Sequence, residues 1–241
     1  MTDDRWGTVI GLDGSPAGIA ALRWAAQRID TVGPLRPVLA WEYPVAPFLP
    51  GPLAMGAAPP AEAMESAAAE AAAGFLAEIE STPYEEPVVR MGQPEEVLLH
   101  VADDAELVVV GCRSQGLVRK YLLGSTSRHL LHQAEVPVVV VPEPDDDHRD
   151  DSDADRPQRI LVGVDGSENA LAALHWATDH ARAGDEITVV SSWKTPVGIG
   201  YDIPQFDQEH LRAAALQEVH DAIDTVGEHE AEIRGEVAEG D

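Results

Sequence analysis

Apolar positions in this chain fall into short β-branched runs, separated by stretches where they recur every three or four residues. Gly7 to Leu12, Pro37 to Trp41, Pro87 to Met91, Leu107 to Val110 and Val136 to Val141 read as strands. Between them, Ile19, Leu22, Ala26 and Ile29 share one predicted helix face. Met64, Ala68, Ala71, Ala72, Phe75, Leu76 and Ile79 form the buried stripe of an alanine-rich helix over 61–80, with glutamates facing water. A short helix opening at Gly92-Gln93-Pro94 carries Val97, Leu98 and Val101, and another opening at Ser125 carries Leu130, Leu131 and Ala134. Pro44 to Pro60 is too rich in breakers for regular structure. Strands alternating with helices predict an α/β fold built on a doubly wound, open parallel sheet. Leu107 to Val110, apolar at every position, reads as a strand covered on both faces.

The pattern then starts again. Gly11, Asp13, Gly14, Ser15, Leu22 and Trp24 recur as Gly163, Asp165, Gly166, Ser167, Leu174 and Trp176, and Trp41, Pro44 and Val45 recur as Trp193, Pro196 and Val197. The constant offset (Asp13 to Asp165, 152 residues) marks a tandem duplication. The second copy is incomplete. Its Val237 to Asp241 matches Val89 to Gln93, leaving no counterpart of the third helix, the fourth strand, the loop after it or the fifth strand. Residues 1–143 therefore read as one complete domain, 144–157 as an acidic linker and 158–241 as a partial domain of three strands and two helices. A chain stopping within the repeat reads as a truncated product, with a natural degenerate copy as the alternative. Leu161, Val162 and Val164 are expected to lie exposed for want of the neighbouring strand.

The chemistry concentrates after the apolar run at Leu107. Gly111 breaks the strand into a small-residue loop holding Arg113, Ser114 and Gly116, and Gly124, Ser125, Thr126 and Ser127 then open a helix. A strand, a glycine-punctuated loop and a hydroxyl-rich helix start are the parts of an anion cradle, in which free backbone N–H groups and the positive helix end face phosphate. No Lys follows Gly116 or Gly124 as a Walker A loop requires, and the dinucleotide G-x-G-x-x-G is absent. The D-G-S turns at Asp13 and Asp165 each precede a helix that Ser15 or Ser167 is suited to cap. Asp13 reads either as a turn residue or as a site carboxylate, and its recurrence in both copies favours the second.

Read from Gly111, the segment resembles the nucleotide motif of the universal stress protein family, G-x2-G-x9-G-[ST]. Gly111, Gly124 and Ser125 fall on the pattern, whereas Ser114 replaces its second glycine and Gly116, two places on, does not restore the spacing. The resemblance implies strand order 3-2-1-4-5 and ATP bound where the first and fourth strands meet, with Mg2+ able to accompany it. Asp13 would then meet the adenosine end, and Trp41 would sit where the family makes a backbone contact to the base. Gly111 and Gly124 would let the backbone approach the phosphates. Ser125 would add a hydroxyl and an N–H, Thr126 a further N–H, and Arg113 a neutralising charge. Ser114 either supplies a donor or, if the loop needs positive φ there, blocks the cradle. By themselves, Trp41 and Trp193 read chiefly as packing residues.

Composition narrows the partners. The 241 residues carry a formal charge of −27, partly in the run Asp145 to Asp155, which repels nucleic acid and anionic membranes. No apolar run is long enough for a membrane helix. An acidic N-terminus without a signal sequence and a single cysteine, Cys112, lead us to expect a cytoplasmic protein. The nine histidines form no metal-ligand spacing. The expected function is an ATP-binding stress-response module with one competent site in the first domain. The alternatives are a stress protein working through partner binding alone and a slow ATP-hydrolysing enzyme, although no Lys or His stands in the cradle as an evident catalytic group. The apolar fifth strand, lacking a partner strand in the second copy, is expected to support a homodimer.

Overall fold

The structure, a computed structural model, describes residues 6–43, 59–79, 81–112, 123–143, 157–194 and 208–240. Contacts divide the chain into two units, Met1–Asp150 and Asp151–Asp241. The loop at 44–58, most of the acidic linker and Arg113, Ser114 and Gly116 lie outside the described residues. No helix among the described residues is long and apolar enough to cross a membrane.

The first unit is a five-stranded, all-parallel sheet. Its strands are β1 (Trp6–Gly11), β2 (Leu35–Trp41), β3 (Val88–Met91), β4 (Ala105–Cys112) and β5 (Val138–Pro142), in the order β3-β2-β1-β4-β5. Its helices are α1 (Pro16–Ala26), α2 (Ile29–Val32), α3 (Ala61–Leu76), α4 (Pro94–Ala102) and α5 (Ser125–Gln133). One layer packs α1 against the 3-10 turn that ends α3, and the other pairs α4 with α5. Val9, Val38, Val108 and Val110 of the sheet meet Val97 and Leu98 of α4 and Leu130 of α5 in a buried cluster. Both sheet faces are thus covered, as the uninterrupted apolar run in β4 requires.

The helix faces differ in detail from the periodic pattern. In α1 the buried residues are Ala17, Gly18, Ala21, Leu22 and Ala25, and the bulkier Ile19, like Ile29 at the start of α2, is only partly covered. The physical reason is distance. At Gly111 a Cβ would lie 2.5 Å from both the Ala17 carbonyl carbon and the Gly18 nitrogen. The helix approaches β4 so closely that only small residues fit between them. In α5, Leu130 is buried but Leu131 is exposed and Ala134 already caps the helix. In α3, Ala68, Ala72 and Leu76 are buried, whereas Met64, Ala71 and Phe75 are partly covered.

The second unit holds β6 (Arg159–Gly163), α6 (Glu168–His180), β7 (Glu186–Trp193), α7 (Gln208–Asp224) and β8 (Glu232–Glu239), with sheet order β6-β7-β8. The repeat persists down to single hydrogen bonds. Leu12 N–H donates to Val38 O and Val164 N–H to Val190 O, both at 2.8 Å. Gly92 N–H donates to Trp41 O at 3.0 Å and Gly240 N–H to Trp193 O at 2.8 Å. Gly14 and Gly166 both hold the left-handed φ, 68° and 78°, that the turn demands. Trp24 carries the Arg28 guanidinium over its ring, and its counterpart Trp176 carries the His180 ring in the same i, i+4 relation.

The two units differ at a matched residue pair. Val9 of β1 is fully buried, and its counterpart Leu161 of β6 is 71% exposed. Val162 and Val164, expected to be exposed, are instead buried against Leu174, Ile187 and Val219. Strand alternation places them under the helices that are present, and Leu161 on the face that α4 and α5 cover in the first unit.

Two stability contrasts follow. Gly111→Ala is expected to destabilise the first unit by about 1–3 kcal/mol or more through overpacking. Gly74→Ala in α3, where a Cβ meets nothing within 4 Å, should stabilise it by about 0.5–1 kcal/mol. Val9→Ala should cost about 2 kcal/mol, and Leu161→Ala should stay within about 0.5 kcal/mol. Urea denaturation of the intact chain measures all four.

Candidate functional site

The topology prepares a crevice. From β1 the chain moves outward to β2 and β3, then returns to place β4 on the other side of β1. The crossovers leaving β1 and β4 therefore depart in opposite directions, opening a gap beyond the carboxyl ends of these strands. Register brings Ile10 level with Val109, so Asp13 and Gly111 emerge on the two banks of that gap.

A cleft lies there. It spans about 620 Å3 when the open solvent at its mouth is included. Its lining includes Asp13, Gly111, Gly124, Ser125, Thr126 and Ser127, with an apolar wall to which Val38, Ala40 and Leu98 contribute. Five of the residues expected from sequence thus share one cleft: Asp13, Gly111, Gly124, Ser125 and Thr126. Trp41 lies beyond the lining. Its ring meets Tyr43 edge-on at 5.5 Å, its indole nitrogen is buried with no hydrogen-bond partner among the described residues, and its carbonyl accepts Gly92 N–H.

Asp13 and Ser15 form a local hydrogen-bonded turn. The Asp13 Oδ1 atom accepts from Ser15 N–H at 2.9 Å and from Ser15 O–H at 2.6 Å, and Ser15 Oγ accepts from Gly18 N–H at 3.0 Å. Capping of α1 and placement of the carboxylate are therefore one structure. In the second unit Ser167 N–H donates to Asp165 Oδ1 at 3.0 Å, and Ser167 Oγ caps α6 through Ala170 N–H. Hydrogen bonds from the Ser167 hydroxyl and amide hold the Asp165 carboxyl below its ordinary value. Residues 158–241 match the first copy only as far as Gln93, before the positions of Gly111, Gly124 and Ser125.

The opposite bank is the start of α5. Gly124 caps it with extended backbone (φ −63°, ψ 167°) and no side-chain bond, so the first-turn N–H groups lack intrahelical acceptors, at residues that line the cleft. The hydroxyls of Ser125 and Thr126 form no hydrogen bond among the described residues. Ser127, by contrast, is 2% exposed and donates from Oγ to Gly111 O at 3.0 Å. Sequence reasoning saw Ser127 only as part of the helix start. The G-S-T-S string offers three hydroxyls and does not say which turns back onto the strand. The apolar wall was equally hidden, because Val38, Ala40 and Leu98 read as core.

The conformational need at Gly111 is also explained. Its absent Cβ would strike α1, so helix packing by itself already requires glycine there. Among the described residues no three His, Cys, Asp or Glu side chains gather to hold a metal.

The sequence profile of the universal stress protein family matches residues 8–142 and 157–241. A universal stress protein of Mycolicibacterium smegmatis is 32% identical over 228 residues, covering 89% of this chain and 73% of that relative. One from Mycobacterium tuberculosis is 33% identical over 196 residues, covering 78% of this chain and 63% of its own length. The chain thus spans about two thirds to three quarters of these relatives. Among solved structures, a universal stress protein from Archaeoglobus fulgidus is similar over 97% of this chain and 77% of its own, with a TM-score of 0.59 and 18% identity, a likeness of fold. With its 3-2-1-4-5 sheet and two matched segments, the chain belongs to the universal stress protein family.

Proposed function

We propose that the first unit binds an adenine nucleotide, ATP in the favoured reading, and that the chain serves as a nucleotide-dependent module of the stress response. The observation that supports this most is the polarity of the cleft. Asp13 presents a carboxylate, and the start of α5 presents first-turn N–H groups without intrahelical acceptors and two hydroxyls that form no bond among the described residues. A simple anion would be repelled by the first, and a simple cation by the second. A ligand that offers hydroxyl donors at one end and phosphate at the other satisfies both. The wall of Val38, Ala40 and Leu98 suits a flat apolar base.

In this reading Asp13 accepts from the ribose hydroxyls, and Gly124, Ser125 and Thr126 hold the phosphates through backbone N–H and hydroxyl groups. Mg2+ would neutralise phosphate charge alongside ATP, and Arg113 is a candidate to do the same. The role is one of holding a ligand, in a protein expected in the cytoplasm.

The edge strand β5 extends the proposal to assembly. Among the described residues it pairs only with β4, and its Val138 to Val141 run leaves an open apolar edge. We infer a homodimer formed through it.

Calorimetric titration of the intact chain with ATP and Mg2+ tests the first claim, beside Asp13→Ala and Gly124→Val. A single saturable site is expected, weakened at least roughly tenfold in each variant. A wild-type chain that takes up no nucleotide overturns the reading and points to Ser114 as the obstruction. Light scattering at micromolar concentration tests assembly, where a monomer would count against the β5 interface.

A further inference from the structure

The nucleotide reading leaves one hydroxyl of the cleft lining without a role. Ser127 lines the cleft, is 2% exposed and spends its proton on the Gly111 carbonyl at 3.0 Å. Ser125 and Thr126, the two residues before it, keep their hydroxyls unbonded among the described residues. The three hydroxyls of the helix start therefore fall into two kinds, two without a bond among the described residues and one that ties the helix to the strand.

That tie joins elements already locked together. Gly111 sits against the Ala17–Gly18 backbone so closely that a Cβ has no room. Gly18 N–H is held by Ser15 Oγ, and Ser15 is held by Asp13. A continuous path runs from the carboxylate bank of the cleft through α1 and the end of β4 to the start of α5. Ser127 supplies its last link. The link also has an electrostatic effect. The Gly111 carbonyl is an acceptor on a cleft wall, and a bare acceptor repels an anion. The Ser127 proton occupies it, turning that part of the wall from repulsive toward neutral.

We propose that Ser127 is a positioning residue for the phosphate end of the ligand. It fixes the first turn of α5 against β4 and masks the Gly111 carbonyl, without donating to the ligand itself. This inference rests on the nucleotide reading of the cleft. It predicts a selective effect, because adenosine contacts only the Asp13 bank whereas ATP needs both.

The test is calorimetry of the intact wild-type chain, Ser127→Ala and Ser127→Thr, each titrated with ATP plus Mg2+ and separately with adenosine. Ser127→Ala should weaken ATP roughly five- to tenfold. Its adenosine affinity should change less than about twofold. Ser127→Thr, which keeps the proton, should restore ATP binding to within about threefold of wild type. Amide exchange on the ligand-free chain supplies a second readout. The Arg128 N–H, bonded to Gly124 O at 3.0 Å, should exchange faster in Ser127→Ala and at the wild-type rate in Ser127→Thr. Equal losses for ATP and adenosine, or unchanged ATP affinity in Ser127→Ala, would overturn the positioning role while leaving the nucleotide reading intact. Unchanged Arg128 exchange would overturn the tie itself. A wild-type chain that binds neither compound refutes the nucleotide reading, and the role of Ser127 falls with it.

Discussion

The first unit is built around the contact between the end of β4 and the first turn of α1. Two backbones meet there with no side chain between them, since a Cβ on Gly111 would overlap Ala17 and Gly18. The closeness dictates the small buried face of α1, where Ala17, Gly18, Ala21 and Ala25 replace the larger residues a helix usually buries. It also sets the crevice. With β4 seated against α1, the D-G-S turn and the start of α5 become opposite banks of one cleft rather than separate loops. Glycine at 111 serves the fold before it serves any ligand.

A local field operates within an acidic protein. The formal charge of −27 is spread along the chain, and its long-range effect is screened over about 8 Å at physiological ionic strength. The first-turn N–H groups of α5, which have no intrahelical acceptors, act at contact distance, where screening is weak. The proposed phosphate site therefore does not require a basic protein. The same acidity makes promiscuous uptake of large polyanions unfavourable, which suits a site selective for a small ligand.

The second unit separates what a repeat carries locally from what it needs from afar. The D-G-S turn, the capped helix and the matching backbone hydrogen bonds at Val190 and Trp193 all form without the rest of the domain, since each depends on residues near in sequence or on the adjoining strand β7. Leu161 stays exposed among the described residues, because the cover that encloses Val9 comes from α4 and α5, which lie beyond the part of the repeat that residues 158–241 match. The Asp165 turn likewise forms from local bonds to Ser167.

Much of this protein was determined by sequence alone, and the reason is periodicity. Strand and helix alternation and the glycine-hydroxyl string are local patterns, and with the recurring D-G-S turn they mark Asp13, Gly111, Gly124, Ser125 and Thr126, whereas the 3-2-1-4-5 order is implied by the resemblance to universal stress proteins. Tertiary structure decided the rest through proximity between distant segments. Helical spacing marks Ile19 and Ile29 as a core face, but only the approach of β4 rotates burial onto the alanines. Alternation puts Val162 and Leu161 on opposite faces, but only the set of helices present says which face is bare. Trp41 stands at the expected strand end, yet its ring turns to Tyr43 and the wall comes from Val38 and Ala40. Three hydroxyls follow Gly124, and nothing local distinguishes them. Ser127 differs from its neighbours because the Gly111 carbonyl, 16 residues earlier, lies within reach of its proton and not of theirs.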